Sequence, residues 1–212
     1  MEIEAKFSIP DRATFDQLCR LEVLAGYQLS SGGVKQVYDR YLDTDERAIL
    51  RAGYACRVRR KGQQYVATLK GLGGAGAGSG IHRRAEHEVA VGDDDPATWP
   101  DSTARDLALR LSDGRLLHEL FSLCQERHIR LLYAGGPAGT RRVAEMSLDI
   151  VTPTVSDDQE TLVYFELEIE LLDQGSESDL RALASDVQTT WGLHPEPHSK
   201  FERGLELADG GN

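Results

Sequence analysis

Polar and apolar positions alternate from the start of the chain. Glu2, Glu4 and Lys6 hold one parity; Ile3, Ala5 and Phe7 hold the other. Successive side chains of a β-strand point to opposite faces, so this predicts a strand with one charged row and one apolar row. The pattern recurs. Arg57 and Arg59 flank Val58, and Thr68 and Lys70 alternate with Ala67 and Leu69. His82, Arg84, Glu86 and Glu88 alternate with Ala85, His87 and Val89, and Gln125 shares a row with Arg127. Glu145, Ser147 and Asp149 oppose Met146, Leu148 and Ile150; Glu166, Glu168 and Glu170 oppose Phe165, Leu167, Ile169 and Leu171. Any one row fits a half-solvated antiparallel strand.

The same spacing predicts strands over 35–44, 55–60, 65–70, 81–91, 121–133, 141–153 and 162–172. Lys61 to Gln64 reads as a tight turn. Asp11 is placed to cap a helix in which Phe15, Leu18, Leu21 and Leu24 keep helical spacing up to Gly26. Weaker helical patterns cover 102–111 and 113–120. A clear one covers 177–191, closed by Gly192. Residues 71–80 hold six glycines and read as a mobile hairpin loop that gates access. They lack the Gly-Lys-Ser/Thr ending and the following helix of a phosphate-cradling loop. Mostly antiparallel strands with a few helices make the fold α+β, with a large sheet or barrel.

At 212 residues the chain suits one large domain or two small ones, and no internal repeat or boundary divides it. A net charge of −11 and a pI near 5.0 argue against a general nucleic-acid binder. No apolar run approaches the ~20 residues of a membrane helix. Charge at Glu2 argues against a signal peptide. Cys19, Cys56 and Cys124 are odd in number and far apart, matching neither a disulfide framework nor a CxxC metal site. His194 and His198 are separated by helix-breaking prolines and make no aligned metal pair. A cytoplasmic protein with reduced thiols, no membrane contact and no nucleic-acid partner is expected.

Three carboxylates in one row repel one another unless something cationic sits among them. Closing the sheet with its charged face inward makes a polar tunnel. The bases of such a lining are Lys6, Arg57, Arg59, Lys70, Arg84, Arg127 and Lys200. The acids are Glu2, Glu4, Glu86, Glu88, Glu145, Asp149, Glu166, Glu168 and Glu170, which leaves a net charge of −2. Arginine pairs suit phosphate oxygens, and clustered carboxylates suit hard divalent cations. A polyphosphate bound with a divalent metal satisfies both halves and points to metal-dependent phosphoryl chemistry.

These rows, in this order, resemble the CYTH domain of the triphosphate tunnel metalloenzyme superfamily. The Glu-x-Glu-x-Lys signature is Glu2-Ile3-Glu4-Ala5-Lys6, and Tyr-x-Asp-Thr is Tyr41-Leu42-Asp43-Thr44. Arg57-Val58-Arg59, Thr68-Leu69-Lys70 and Arg84-Ala85-Glu86-His87-Glu88 follow. A later arginine is Arg127; Gln125 stands where some members carry a lysine. The acidic strand matches Glu145 and Asp149; the late Glu-x-Glu fits either 166 with 168 or 168 with 170. The terminal Ser-Lys is Ser199-Lys200. The resemblance implies a closed eight-stranded antiparallel barrel with flanking helices over 1–207, then a polar tail at 208–212. It implies the seven bases as substrate-binding and catalytic residues, the nine acids as ligands of Mg²⁺ or Mn²⁺, and a triphosphate or polyphosphate substrate. Bacterial members often carry a CHAD domain after this one; such a domain would belong to a longer parent chain.

The leading expectation is an inorganic triphosphatase. The alternatives are a thiamine triphosphatase, a class IV adenylyl cyclase, and a non-catalytic polyphosphate-binding module. A thiamine site needs an aromatic wall, for which Tyr38 and Trp99 are candidates.

Overall fold

In the computed structural model the first charged-and-apolar row is strand β1, Glu2–Ile9. The structure describes residues 2–73, 81–135, 140–154 and 162–210. The segment 74–80, most of the glycine-rich stretch read as a gating loop, lies outside them. Asp11 caps α1, Arg12–Cys19, by accepting a hydrogen bond from the Thr14 amide at 2.7 Å. The helix stops there. Leu24 lies instead on the short strand β2, Val23–Leu24, which pairs with β3, Tyr27–Asp43.

After the short helix α2, Ala48–Arg51, come β4, Tyr54–Lys61, and β5, Gln64–Gly71. The run predicted as one strand over 81–91 is two, β6, Ile81–Arg84, and β7, Glu86–Val91. They change partner at Ala85: β6 pairs with β1 and β7 with β5. Helix α3, Thr103–Ser112, ends at Asp113, which is left-handed at φ 56°. No helix follows over 113–120; β8, His118–Ala134, begins there. Then come β9, Arg141–Thr154, and β10, Tyr164–Leu171. Helix α4, Glu177–Trp191, has a Ser176/Asp179 capping box and a left-handed Gly192 at its end. The short β11, His194–Pro195, leads to α5, Lys200–Gly210, a helix absent from the sequence-based reading.

All pairings among the described residues are antiparallel, and the strands form one curled, barrel-like sheet. Its path is β11-β1-β10-β9-β8-β3-β4-β5-β7, nine strands rather than the expected eight, with β2 and β6 paired off it. The β6–β7 run touches both flanks of this path, β1 on one side and β5 on the other.

The apolar rows face the helices. Phe7, Leu148, Leu167 and Ile169 pack with Phe15 and Leu18 of α1 and Leu180, Leu183 and Val187 of α4. Cys56, Val58, Ala67 and Leu69 pack with Leu107 and Ala108 of α3. A third cluster joins Tyr41, Phe121, Leu123, Val151 and Tyr164 to Phe201 of α5. Gly204 permits this seat, since a Cβ there would lie 2.2 Å from the Phe121 ring. Among the described residues no helix is long and apolar enough to cross a membrane.

Candidate active site

The charged rows meet because the register aligns them. Glu4 stands opposite Glu170, Lys6 opposite Glu168, and Ser8 opposite Glu166. On the next strand Glu170 faces Glu145, Glu168 faces Ser147, and Glu166 faces Asp149. Arg127 continues the last rung, opposite Asp149. Across the sheet Tyr41, Arg57, Thr68 and Glu88 form one rung, and Lys70 stands opposite Glu86.

These rungs enclose a cavity of about 290 Å³. All seven predicted bases line it: Lys6, Arg57, Arg59, Lys70, Arg84, Arg127 and Lys200. So do six of the predicted acids: Glu2, Glu4, Glu86, Glu88, Glu168 and Glu170. Glu145, Asp149 and Glu166 are not among the lining residues. Asp149 and Glu166 lie fully buried, and Glu145 is partly buried facing Glu170. The late Glu-x-Glu therefore divides by depth, with Glu168 and Glu170 at the cavity and Glu166 beneath it.

The arginines fall into two kinds. Arg59 donates two hydrogen bonds to Asp39, at 2.6 and 2.7 Å, and Gln125 Nε2 donates to the same carboxylate at 2.8 Å. Burial alone would raise Asp39, but the hydrogen bonds and charge of Arg59, the charge of Arg57 and the Gln125 bond hold it at about 2. Arg127 likewise grips Asp149 at 2.8 and 2.6 Å and Glu168 at 2.7 Å. Arg57 and Arg84 are looser. Arg57 donates to Thr68 at 3.3 Å, with Glu88 3.9 Å away. Arg84 lies 3.9 Å from Glu4, and the buried Nε atoms of Arg57 and Arg84 have no hydrogen-bond partner among the described residues.

The carboxylates divide in the same way. Lys200 donates to Glu166, donates to Glu168 at 2.8 Å, and lies 3.0 Å from Asp149. The oxygens of these three acids lie within 4.8 Å of one another. An ammonium thus occupies the acidic group that most resembles a ready-made cation site. Glu2 and Glu86 share Lys70. The group of Glu4, Glu170 and Glu145 is less compensated. Partial burial, then the charges of Glu2, Glu4, Glu145 and Glu168, push the Glu170 carboxyl up to about 7. Burial also raises Glu2. Glu4 Oε1 is buried and accepts no hydrogen bond among the described residues.

Lys61, Tyr41, Ser147, Ser199 and Phe201 also line the cavity, outside the sixteen bases and acids read from the sequence, although Ser147 shares a charged row and Tyr41 and Ser199 belong to motifs. Asp39 and Gln125 brace it from behind. Arg203 reaches Glu166 at 3.6 Å while stacking on Tyr164. Tyr38 and Trp99 are not lining residues; Trp99 is buried in the cluster beneath α3.

Solved structures share this architecture. A candidate adenylate cyclase from Bacillus halodurans aligns with a TM-score of 0.62 at 20% identity, covering 96% of each chain. HpAC1 from Hippeastrum, a candidate adenylyl cyclase described as having a dominant triphosphatase activity, aligns at 0.66 and 16% identity over 100% of this chain and 97% of its own. PH1819 from Pyrococcus horikoshii aligns at 0.56 and 18% identity, over 98% and 99%. At these identities the likeness shows the fold. No curated protein matches the sequence. The family model of the CYTH domain matches residues 1–205, nearly the whole chain, and the protein therefore belongs to the CYTH domain family.

Proposed function

We propose that this chain is a metal-dependent hydrolase that cleaves the terminal phosphate of inorganic triphosphate, bound in the charged interior of a closed tunnel. The observation that carries this reading is a pairing of opposites within one cavity. Among the described residues, Arg57 and Arg84 keep guanidinium donors that no carboxylate grips closely, while the Glu4 and Glu170 carboxyls face each other with no cation gripping them closely. A polyphosphate complements the first pair and a divalent cation the second.

Glu2, Glu4 and Glu170 would supply oxygen donors to Mg²⁺ or Mn²⁺, and the buried Glu4 Oε1 accepts no hydrogen bond among the described residues. Such an ion would supply charge neutralisation at the phosphate oxygens and a more acidic water. Arg57, Arg84 and Lys6 would orient the phosphate chain and spread the negative charge that builds on it in the transition state. The water oxygen bonds to the terminal phosphorus, the bridging P–O bond breaks, and phosphate and pyrophosphate leave.

The cavity aromatics favour a substrate without a ring. Tyr41 and Phe201 are packed on Phe121 and on each other, at 4.9 to 5.9 Å between centroids, so neither is free to sandwich thiamine or a base. The triphosphatase described for the Hippeastrum protein agrees with this choice.

The test is phosphate release from inorganic triphosphate, ATP, thiamine triphosphate and long polyphosphate, with Mg²⁺, with Mn²⁺ and with a chelator. Inorganic triphosphate should turn over fastest and the chelator should abolish release. Equal rates with chelator, or cyclic nucleotide formed from ATP in preference to phosphate release, would overturn the reading.

A further inference from the structure

His82 lies on β6 directly opposite Glu4, two residues before Arg84. It is buried and is not a lining residue of the cavity. Its Nδ1 lies 2.9 Å from Arg84 Nη2. A guanidinium can only donate, so Nδ1 must accept, and the imidazole is neutral with its proton on Nε2. The ring also meets the backbone of Glu196, and Nε2 makes no hydrogen bond of ordinary geometry among the described residues. Burial, then the charges of Arg84 and Lys6, lower the tendency of His82 to protonate, in keeping with the neutral ring.

Arg59 and Arg127 show the usual way to fix a buried arginine, a buried aspartate on two donors. That fixes the side chain and also cancels its charge. At Arg84 the close partner is a neutral acceptor instead, with Glu4 at 3.9 Å. We infer that His82 is a positioning residue that orients Arg84 without neutralising it, so that Arg84 presents its full charge to a polyanion in the cavity. The inference rests on the triphosphate reading and adds to it a device that separates arginines held for structure from arginines kept for the ligand.

The experiment compares His82→Asn with His82→Asp, near-isosteric acceptors that differ in charge. Binding of inorganic triphosphate is measured by calorimetry, and folding by thermal melting. The aspartate should bind the anion about tenfold or more weakly than the asparagine, the loss of one charge-assisted contact. An added carboxylate would also repel the anion directly, so the pair is repeated in an Arg84→Gln background. There the difference should shrink to about threefold or less, because the charge being cancelled is gone. A difference of the same size in both backgrounds overturns the inference. So do equal affinities of the two variants when the unaltered protein binds. No binding by the unaltered protein overturns the triphosphate reading itself, and the inference with it.

Discussion

Glu4 on β1 stands directly opposite Glu170 on β10, two carboxylates face to face across one antiparallel pair. Like charges in that position destabilise a sheet unless a cation joins them. The Glu170 carboxyl is pushed from an ordinary 4.5 up to about 7, by partial burial first and then by Glu2, Glu4, Glu145 and Glu168. A carboxyl raised in the folded state stabilises fully below its unfolded value and loses that contribution as pH rises through about 7. The metal-free protein should therefore lose melting temperature between about pH 5 and about pH 8. Glu170→Gln should flatten that slope, and Mg²⁺ should flatten it in the unaltered protein. Glu170 opens onto solvent in the cavity, so the effect is screened and modest. Identical melting profiles for Glu170→Gln and the unaltered protein would rule this account out.

Asp39 carries the opposite sign. Its folded value of about 2 lies below the ordinary 3.8, so its contribution is present above 3.8 and lost as pH falls through about 2. Asp39→Asn would leave Arg59 with a neutral partner in a buried place. Urea titration at neutral pH should show a loss of about 3 kcal/mol. The same variant should show less further loss below about pH 4 than the unaltered protein. A variant as stable as the original would mean that Arg59 finds another partner, and Glu88 would be the one to examine.

The two kinds of arginine should separate in kinetics. Arg57→Ala removes a donor held loosely, by Thr68 at 3.3 Å and Glu88 at 3.9 Å, so it should raise KM for triphosphate about tenfold or more and cost far less melting temperature than loss of a gripped arginine. Arg127→Ala removes three close hydrogen bonds to Asp149 and Glu168 and leaves Lys200 to balance both with Glu166, so it should destabilise by about 3 kcal/mol. Parallel steady-state and melting measurements on both variants decide the matter. Equal effects on KM and melting would abolish the distinction.

The charged rows were legible because a period of two is visible without any knowledge of partners, and the register set β1, β9 and β10 side by side as those rows require. What the sequence did not show is depth. Glu166, Glu168 and Glu170 share one row, yet only Glu166 is sealed, because α5 brings Lys200 and Arg203 to that end of it. Helix α5 was not read from the sequence. Phe201, Leu205 and Ala208 keep helical spacing against the third core cluster, but Gly204 and Gly210 dilute the signal. The exchange of partners at Ala85 leaves no trace, since β6 and β7 keep alternating on either side of it. Leu21 and Leu24 kept helical spacing after the helix had ended at Cys19, and both still pack on the core they seemed to predict. Asp39 and His82 looked like ordinary members of strands; their roles depend on which arginine lies beside them.

Lys200 gives the strongest test of how the buried acids are balanced. Its ammonium touches Glu166, Glu168 and Asp149, and Arg127, Arg203 and Lys6 also reach that group, Lys6 at 3.6 Å from Glu168. Even with Lys200 present, burial raises the Glu166 carboxyl, whereas the charges of Lys200, Arg127 and Lys6 outweigh burial at Glu168 and hold it well down. Lys200→Ala leaves three carboxylates with too few cations. They should recover by taking up protons, so the variant should melt lower than the unaltered protein near neutral pH and close the gap on acidification toward about pH 5. Lys200→Arg restores a charge and should recover part of the loss at neutral pH. Mn²⁺ offers a second route, because the three acids already stand within 4.8 Å of one another and the space left by the ammonium is theirs to share. Adding Mn²⁺ should raise the melting temperature of Lys200→Ala by more than it raises that of the unaltered protein. If Lys200→Ala melts at the same temperature as the original at neutral pH, the acids are already protonated there and the ammonium is not what holds them.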